Sequence, residues 1–282
     1  MSINKFRDEV NAGQRFEFGK NWKNFLLKLN DERISISKSS LSGMLGDISL
    51  SNRSFLDVGS GSGLSSLAAR NLGANVTSFD FDDSSVWCTA ELKSRYYPND
   101  ENWKVMQGSV LDKDFLDQLG QFDIVHSWGV LHHTGQMWAA IDNCINLVND
   151  DGVIFIAIYN DQGIKSHFWW MVKWLYNKMP RFLKKPFAYM AGFSLEFLMF
   201  LKYTLKLKPM VILAPIFDYK QSRGMSKLSD IVDWYGGFPY EFSTYDYLID
   251  YIQNKGFELQ NGKKASSLGC HELVFKKAST IS

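Results

Sequence analysis

A glycine-rich run that follows an aspartate carries the strongest chemical signal in the sequence. Asp57 lies in the apolar segment 55–58, and Gly59, Gly61 and Gly63 then alternate with serines before a helix-like segment. Glycines at this spacing let the backbone turn sharply and bring its N–H groups close to a ligand at a helix N-terminus. The spacing is not the G-x-G-x-x-G of dinucleotide-binding loops, and no Lys-Ser/Thr pair follows, as a phosphate-binding P-loop requires. The run therefore predicts a loop for another nucleotide-like ligand, with a turn that binds nothing as the alternative.

A second carboxylate falls at the predicted end of the next strand. Residues 76–81 have the pattern of a short strand, and Asp80 lies 23 positions after Asp57. A carboxylate there can accept hydrogen bonds from both hydroxyls of a ribose, and the neighbouring Phe81 can stack against a base. The alternative is that Asp80 caps the following helix, a role that Asp82 or Asp83 could also fill.

The elements that position these residues alternate between strand and helix. Residues 55–58, 76–81, 103–112, 122–126 and 152–160 have strand-like patterns, the third including its exit, and helical patterns lie between them. Long apolar strands separated by helices predict an α/β fold with a parallel sheet covered on both faces. Ligands bind such sheets at the carboxyl ends of the strands. Residues at those ends are Asp57, Asp80, Gly108, Ser109, Val110, Ser127, Trp128, Tyr159 and Asn160.

Composition describes an ordinary globular chain. The 282 residues are 45% hydrophobic and 22% charged, with a net charge of +1, so nucleic acid is not an expected partner. The three cysteines form no C-x-x-C pair, which predicts reduced thiols and neither disulfides nor zinc. The first ten residues have no apolar signal core, and we expect a cytoplasmic protein. The sequence does not determine the oligomeric state.

Two segments lie outside the alternating pattern. Residues 1–50 are predicted to form a helical cap, whose aromatic residues either cover the sheet or, through Phe18 and Trp22, fold over the ligand. Residues 160–238 are predicted to be a mainly helical insertion, so that 51–159 and 239–282 form one domain. Between 160 and 225 there are eleven Lys or Arg and three Asp or Glu. This insertion is expected to be a substrate lid, with a surface for an anionic substrate or a peripheral membrane contact as the alternative.

The motif D-x-G-x-G-x-G resembles motif I of the class I S-adenosylmethionine (SAM) methyltransferases. The resemblance covers the whole chain. The chain is similar to a bacterial subgroup of this class in the segments FEFGKNW, SWGVLHHTG and IAIYN and in the D-W-x-G-G-x-P pattern of residues 233–239. It implies a Rossmann-like fold with a seven-stranded, mostly parallel sheet, a helical insertion after the fifth strand, and SAM as the cofactor. The expected cofactor-binding residues are Phe18, Trp22, Asp57, Gly59, Ser60, Gly61, Gly63, Asp80, Phe81, Gly108, Ser109, Val110, Ser127 and Trp128.

Two adjacent histidines are the candidates for catalysis. Methyl transfer often requires removal of a proton from the nucleophile, and histidine titrates near neutral pH. In ubiquinone-pathway O-methyltransferases, which the chain resembles, a histidine often stands at the position equivalent to His133. His133 is therefore the first candidate for the base and His132 the second, with a loop-holding role as the alternative. No cluster of carboxylates follows the fourth strand, so no metal is expected.

The resulting expectation is methylation of a small polar or anionic metabolite, with oxygen as the acceptor atom. A membrane-peripheral enzyme for an isoprenoid or lipid is one alternative. A SAM-binding protein without catalysis is another, because Ser109 replaces the Asp that often holds the adenine amine in the resembled class. The loop at residues 126–129 lacks the signatures of nucleic acid methylation. The expected substrate-binding residues are Tyr159, Asn160, Arg223, Trp234, Tyr235 and Tyr240.

Overall fold

A seven-stranded sheet forms the centre of the computed structural model, which describes residues 3–205 and 227–278. The strands are β1 (Ser54–Val58), β2 (Asn75–Asp80), β3 (Trp103–Gln107), β4 (Phe122–Trp128), β5 (Val148–Tyr159), β6 (Phe257–Lys263) and β7 (Cys270–Lys277). Their order across the sheet is β3-β2-β1-β4-β5-β7-β6. The first five pair in parallel, whereas β7 runs antiparallel to both β5 and β6. The predicted seven-stranded, mostly parallel sheet is confirmed.

Helices cover both faces of this sheet. They are α1 (Ile3–Asn11), α2 (Gly19–Leu26), α3 (Asp31–Leu45), α4 (Leu64–Asn71), α5 (Asp83–Tyr96), α6 (Lys113–Asp117), α7 (Met137–Asn146), α8 (Ile164–Lys178), α9 (Arg181–Leu205), α10 (Lys227–Gly236) and α11 (Tyr245–Gln253). Apolar residues of α2, α3, α4 and α5 join the core on one face. Those of α6, α7 and α11 join the core on the other.

The central strands β1 and β4 carry apolar residues on both faces, because helices cover both faces of the sheet. Phe55 and Leu56 are adjacent on β1 and fully buried, yet they belong to the cores on opposite faces of the sheet. Ile124 and Val125 on β4 divide in the same way. Successive strand side chains alternate between faces, so a doubly covered strand contributes consecutive apolar residues to two cores.

Helix caps explain several element boundaries. Asn30 accepts the backbone N–H of Arg33 at 3.1 Å and starts α3, so the aromatic segment before it ends with α2. Thr244 accepts the N–H of Tyr247 at 3.3 Å and starts α11. Side-chain oxygens at these positions satisfy N–H groups that have no partner within the helix.

Three segments differ from what their residue types predict. Serines at positions 37–42 are typical of a turn, yet α3 continues through them to Leu45. The strand predicted for residues 122–126 is longer, because Ser127 and Trp128 are the last two residues of β4 and pair with β5. Glycines and aromatic residues between 222 and 244 are typical of a loop, yet the described part of this segment contains a helix, α10, which packs against α8 and α9.

Helices α8, α9 and α10 follow β5 and have a small core of their own. Tyr176 of α8, Ala188 of α9 and Tyr235 of α10 are buried together, with Trp169 and Trp234 packed beside them. In the ranges 3–205 and 227–278, no helix has the length and apolar character needed to cross a bilayer. That these helices act as a lid stays a prediction.

Candidate active site

The glycine loop turns at the end of β1 and leads into α4. Gly59, Gly61 and Gly63 have positive φ angles of 74°, 55° and 81°. A Cβ atom at Gly59 would lie 2.3 Å from a methyl carbon of Val130, and at Gly63 it would lie 2.9 Å from the Cα of Thr89. Glycine is therefore required here both by the backbone conformation and by the space available.

The carboxylate of Asp80 lies beside this loop at the end of β2. One of its oxygens accepts the Gly61 N–H at 2.9 Å, and the other accepts the Asp82 N–H at 2.9 Å. Burial raises the pKa of Asp80 to about 7, although the hydrogen bonds from the two N–H groups act in the opposite direction. Each carboxylate oxygen can accept a second hydrogen bond. Asp80 can therefore receive both hydroxyls of a vicinal diol.

The cap of α5 is Asp82 and not Asp80. The Asp82 carboxylate accepts the Ser84 N–H at 2.9 Å and the Gly19 N–H of α2 at 2.8 Å. Burial raises the pKa of Asp82, because desolvation outweighs these hydrogen bonds. The alternative function of Asp80 as a helix cap is therefore wrong, and its carboxylate is left facing the loop.

Asp57 lies beneath the glycine loop and is held on both oxygens. Ser66 Oγ donates to one oxygen at 2.5 Å, and His126 Nδ1 lies 2.9 Å from the other. Ser66 is itself bonded to Ser78 Oγ at 2.7 Å, and Ser78 accepts the indole N–H of Trp103 at 2.9 Å. Both carboxylate oxygens thus have partners within the protein. Asp57 is 2% exposed and lines the cavity described below, and its contact with the cofactor stays a prediction.

Residues 3–28, here called the N-terminal arm, cover one side of the loop. A Cβ atom at Gly61 would lie only 3.1 Å from the indole nitrogen of Trp22. The Phe18 ring lies 4.9 Å from the His133 ring, measured between centroids. The arm thus brings Phe18 and Trp22 to the same place as the glycine loop.

Arg15 fixes the arm to the rest of the site, and the sequence analysis missed it. Its guanidinium donates to the backbone oxygens of His133 at 2.8 Å and Thr134 at 3.4 Å, and it pairs with Glu9 at 2.7 Å. The same guanidinium lies 5.3 Å from the centre of the Phe81 ring. Arg15 therefore links the arm to the residue predicted to stack on a base and to the histidine segment.

The exit of β3 closes the far end of the loop region. The Gly108 N–H donates to the backbone oxygen of Asp80 at 3.0 Å, and a Cβ atom at Gly108 would lie 2.2 Å from the Phe115 ring. Ser109 Oγ accepts the Leu111 N–H at 3.2 Å, which stabilises the turn after the strand. Gly108, Ser109 and Val110 all line the cavity.

His133 lies in a 3-10 helix, Leu131–His133, and one of its ring nitrogens is already bonded. Nδ1 lies 2.6 Å from the backbone oxygen of Pro239. A carbonyl only accepts, so Nδ1 donates and the lone pair of the neutral ring is on Nε2. The pKa of His133 is lowered to about 3, mainly by burial and in smaller part by the charges of Lys173 and Arg15, while the bond to Pro239 acts in the opposite direction. The ring is a hydrogen-bond acceptor at any physiological pH.

His132 is turned away from the cavity. It is fully buried, and its Nδ1 accepts the Tyr159 N–H at 3.3 Å. Burial holds the pKa of His132 well below its usual value, and the charges of His133 and Lys173 act in the same direction. The prediction of His132 as a second base is not supported by this position, because the ring does not line the cavity.

Aromatic side chains follow on the acceptor side of His133. Tyr159, Trp234 and Tyr235 line the cavity with Trp169 of α8. Behind them, the buried Lys173 ammonium donates to the Trp234 backbone oxygen and lies 4.3 Å from the centre of the Trp234 ring. These rings form a mostly apolar wall next to a buried positive charge.

One cavity of about 1040 Å³ connects these features. The predicted site residues that line it are Phe18, Trp22, Asp57, Gly59, Ser60, Gly61, Asp80, Phe81, Gly108, Ser109, Val110, Trp128, His133, Tyr159, Trp234 and Tyr235.

Five predicted site residues do not line this cavity. Gly63 starts α4, and the Ser127 hydroxyl donates to the Val58 backbone oxygen. His132 was described above, and Asn160 donates from its amide to backbone oxygens of the β6–β7 hairpin. Tyr240 is buried behind the cavity wall, where Lys173 lies 4.9 Å from its ring centre. Arg223 lies outside the described residues.

Other lining residues come from distant segments that no motif in the sequence marks. They include Phe6, Arg15 and Phe16 of the arm, Trp169 of α8, and residues 263–269 of the hairpin. The only available signal was the arginine next to the aromatic run of the arm. Across residues 3–205 and 227–278, no group of three or more His, Cys, Asp or Glu is arranged to hold a metal ion.

Comparison with protein families and curated proteins points to methyl transfer. Residues 56–154 match a family model described as a methyltransferase domain. The ubiquinone biosynthesis O-methyltransferase of Glaesserella parasuis is 28% identical over 137 residues, which are 47% of this chain and 53% of that protein. The ribosomal protein L11 methyltransferase of Prochlorococcus marinus is 34% identical over 119 residues, 42% of this chain and 39% of that protein. This chain thus spans about half the length, or less, of the curated relatives it matches.

Solved structures resemble the whole chain at low identity. The magnesium protoporphyrin IX methyltransferase of Synechocystis, crystallised with S-adenosylhomocysteine (SAH), has a TM-score of 0.56 at 14% identity, covering 98% of this chain and 100% of that one. The fold is that of class I SAM methyltransferases. A second structure with this fold, the 1,6-didemethyltoxoflavin-N1-methyltransferase of Burkholderia thailandensis, has a TM-score of 0.51 at 15% identity, covering 98% and 87%.

Proposed function

We propose that this chain is a SAM-dependent methyltransferase that acts on a small molecule. One observation carries the proposal: the glycine loop and Asp80 lie at the carboxyl edge of the sheet, in the same cavity as His133 and an aromatic wall. The match of residues 56–154 to a methyltransferase domain supports it. So do the structural neighbours, which were crystallised with SAH.

The residues of the cavity fit SAM. Asp80 has free lone pairs for a ribose diol, and Phe81 lies beside it for the adenine. The glycine loop offers close backbone approach to the amino acid tail, because a side chain at Gly61 would fill the space in front of Trp22. Asp57, under the loop, supplies a negative charge for the ammonium group. When bound, SAM supplies an activated methyl group.

We assign the acceptor side of the cavity to a hydroxyl group. The Nε2 lone pair of His133 can accept the hydrogen of that hydroxyl and orient its oxygen. A general base works best when its pKa is near the working pH, and the pKa of His133 is about 3. His133 therefore orients the hydroxyl first, and it takes the proton only as the oxygen loses it during methyl transfer.

Two acceptor classes remain to be compared. A polar or anionic metabolite is favoured by Arg15, Lys263 and Lys264, which are among the residues that line the cavity. An isoprenoid or lipid acceptor, our second candidate, is favoured by the aromatic wall of Trp169 and Trp234. Both classes carry a hydroxyl that His133 can orient.

The proposal is tested first by cofactor binding and then by methyl transfer to candidate acceptors. Calorimetry with SAH measures the cofactor site directly, and we expect micromolar affinity. Methyl transfer from SAM labelled in its methyl group is then measured over hydroxylated sugars, phosphorylated metabolites, phenols and prenylated phenols. Absence of SAH binding at millimolar concentration would refute the proposal. Binding without turnover on every acceptor would favour a SAM-binding protein that lacks catalysis.

A further inference from the structure

Helix α8 is apolar on two opposite sides. Its inner side faces the cavity and α10 through Trp169 and Tyr176. Its outer side carries Ile164, Phe168, Met171 and Leu175, which repeat at the spacing of one helical stripe. These four side chains are 88%, 53%, 53% and 49% exposed. No packing within the described residues accounts for this second apolar side.

The exposed apolar surface extends beyond this stripe, and we call the whole of it the outer face. Trp170 and Trp174 are also exposed, and α9 adds Phe182, Leu183, Met190 and Phe193. Single exposed apolar side chains are common, but ten on two consecutive helices are more than soluble monomers usually leave uncovered. The outer face therefore points to a partner.

The charges around the outer face identify the partner's chemistry. Residues 164–194 contain six Lys or Arg, of which Lys173 is buried on the inner side, and no Asp or Glu. Lys165, Lys178 and Lys185 are exposed beside the apolar side chains. A basic apolar surface with tryptophans is typical of helices that lie in the headgroup region of an anionic membrane. A second copy of this face would bring like charges together. Residues 206–226, with four Lys or Arg and one Asp, have the same sign of charge.

The length of α8 agrees with a helix that lies on a bilayer and does not cross it. Its 15 residues span about 22 Å, less than the roughly 30 Å of a hydrocarbon core. Trp169 on its inner side lines the acceptor cavity. A helix that rests on lipid with one side would thus bring the cavity within about one helix diameter of the bilayer.

The geometry points to a docking surface for anionic lipid bilayers, formed by the outer face of α8 and α9. The interaction is peripheral, with the aromatic and aliphatic side chains in the headgroup region and the lysines at anionic headgroups. This inference does not rest on the proposed reaction, because it uses only the outer sides of the two helices.

Vesicle co-sedimentation of the full chain tests the inference. We expect binding to vesicles of phosphatidylcholine mixed with phosphatidylglycerol, weak binding to phosphatidylcholine alone, and loss of binding at high salt. The double variant Met171→Glu/Leu175→Glu should lower the partition coefficient about a hundredfold, roughly tenfold for each charged side chain placed in the apolar stripe. The matched control is Leu27→Glu/Ile36→Glu, on exposed apolar positions of the N-terminal helices. It should bind as the wild type does.

Several outcomes would overturn the inference. They are no binding of the wild type to either vesicle, equal binding of Met171→Glu/Leu175→Glu, or a wild-type dimer that this variant converts to a monomer. SAH affinity on the same samples keeps the two proposals apart, since vesicle binding without SAH binding counts only against the proposed function.

A second measurement covers the case in which the double variant does not fold. Brominated lipids should quench part of the wild-type tryptophan fluorescence, and the conservative Trp170→Phe/Trp174→Phe variant should lose that part. Unchanged quenching in that variant would also overturn the inference.

Discussion

Replacement of Asp80 by Asn tests the cofactor site at its most informative position. The variant keeps the shape of the side chain but loses its charge and one of the two acceptors that now hold the Gly61 and Asp82 N–H groups. A hydrogen bond to a charged group contributes about 1.5–3 kcal/mol, and a ribose diol would make two of them. We therefore expect SAH to bind about 3 kcal/mol, or roughly a hundredfold, more weakly. Calorimetry near pH 8 measures this change.

The matched control is Asp83→Asn, three residues further along, where the carboxylate pairs with Arg7 at the surface. That variant should bind SAH as the wild type does. Equal loss of affinity in both variants would mean that the effect is one of net charge and not of the diol. Unchanged affinity in Asp80→Asn would refute the assignment.

The pH dependence of ligand binding gives a second comparison between the wild type and Asp80→Asn. Burial raises the pKa of Asp80 to about 7, so the ligand-free protein loses this negative charge as the pH falls through 7. Diol binding favours the charged form, and affinity should drop toward tenfold per pH unit below that point. Methylthioadenosine is a suitable probe because it has the ribose but no amino acid groups that titrate. Parallel pH profiles for the wild type and Asp80→Asn would contradict the reasoning.

The free energy of unfolding should fall as the pH rises, whereas the ligand affinity should increase. The pKa of Asp80 is about 7 in the folded chain and near 3.8 when unfolded, so between these values only the folded state holds the proton. The wild type should therefore lose stability as the pH rises through this window, by at most about 1.4 kcal/mol per pH unit, with no further loss above 7. Asp80→Asn should lack this loss. Urea unfolding of both proteins across the window measures the difference.

Substitutions at three further positions test the rest of the site. His133→Gln keeps an acceptor and should retain more turnover than His133→Ala, which should lose about a hundredfold at unchanged SAH affinity; equal losses would indicate that proton transfer to the ring is essential. Gly59→Ala should reduce SAH affinity more than tenfold, because its Cβ would collide with Val130, and normal calorimetric affinity would show that the loop can shift. Arg15→Met removes the bonds to the His133 and Thr134 carbonyls, so the N-terminal arm should be cleaved faster by trypsin at other sites; unchanged cleavage would show that the arm is held elsewhere.

The sequence alone was sufficient to place a site residue where a single local requirement determines the residue type. The glycine loop needs positive φ angles, and Asp80 follows a strand whose end can be read from its apolar run, so both were found in their places. The alternation of strands and helices predicted the parallel sheet for the same reason. These signals are local, and a single segment contains all of their information.

The rest of the site depends on contacts between distant segments. His132 and His133 are adjacent in the sequence, and only the fold shows that Pro239 holds one ring at the cavity while Tyr159 holds the other away from it. Arg15 acquires its position from carbonyl groups more than a hundred residues away. The glycines and aromatic residues between 222 and 244 are typical of a loop, yet residues 227–236 form α10, which packs against α8 and α9.

The hydrogen-bonded chain under the glycine loop makes the binding site dependent on a position that no ligand would touch. The indole N–H of Trp103, on β3, donates to Ser78 Oγ. Ser78 is hydrogen-bonded to Ser66, and Ser66 donates to the Asp57 carboxylate. Ser66 gives its only proton to the carboxylate, so Ser78 donates to Ser66 and accepts the indole N–H. Trp103→Phe would preserve most of the packing volume but remove the donor that holds Ser78. A substitution at such an interior position would change the cofactor affinity although every residue that contacts the cofactor stays the same.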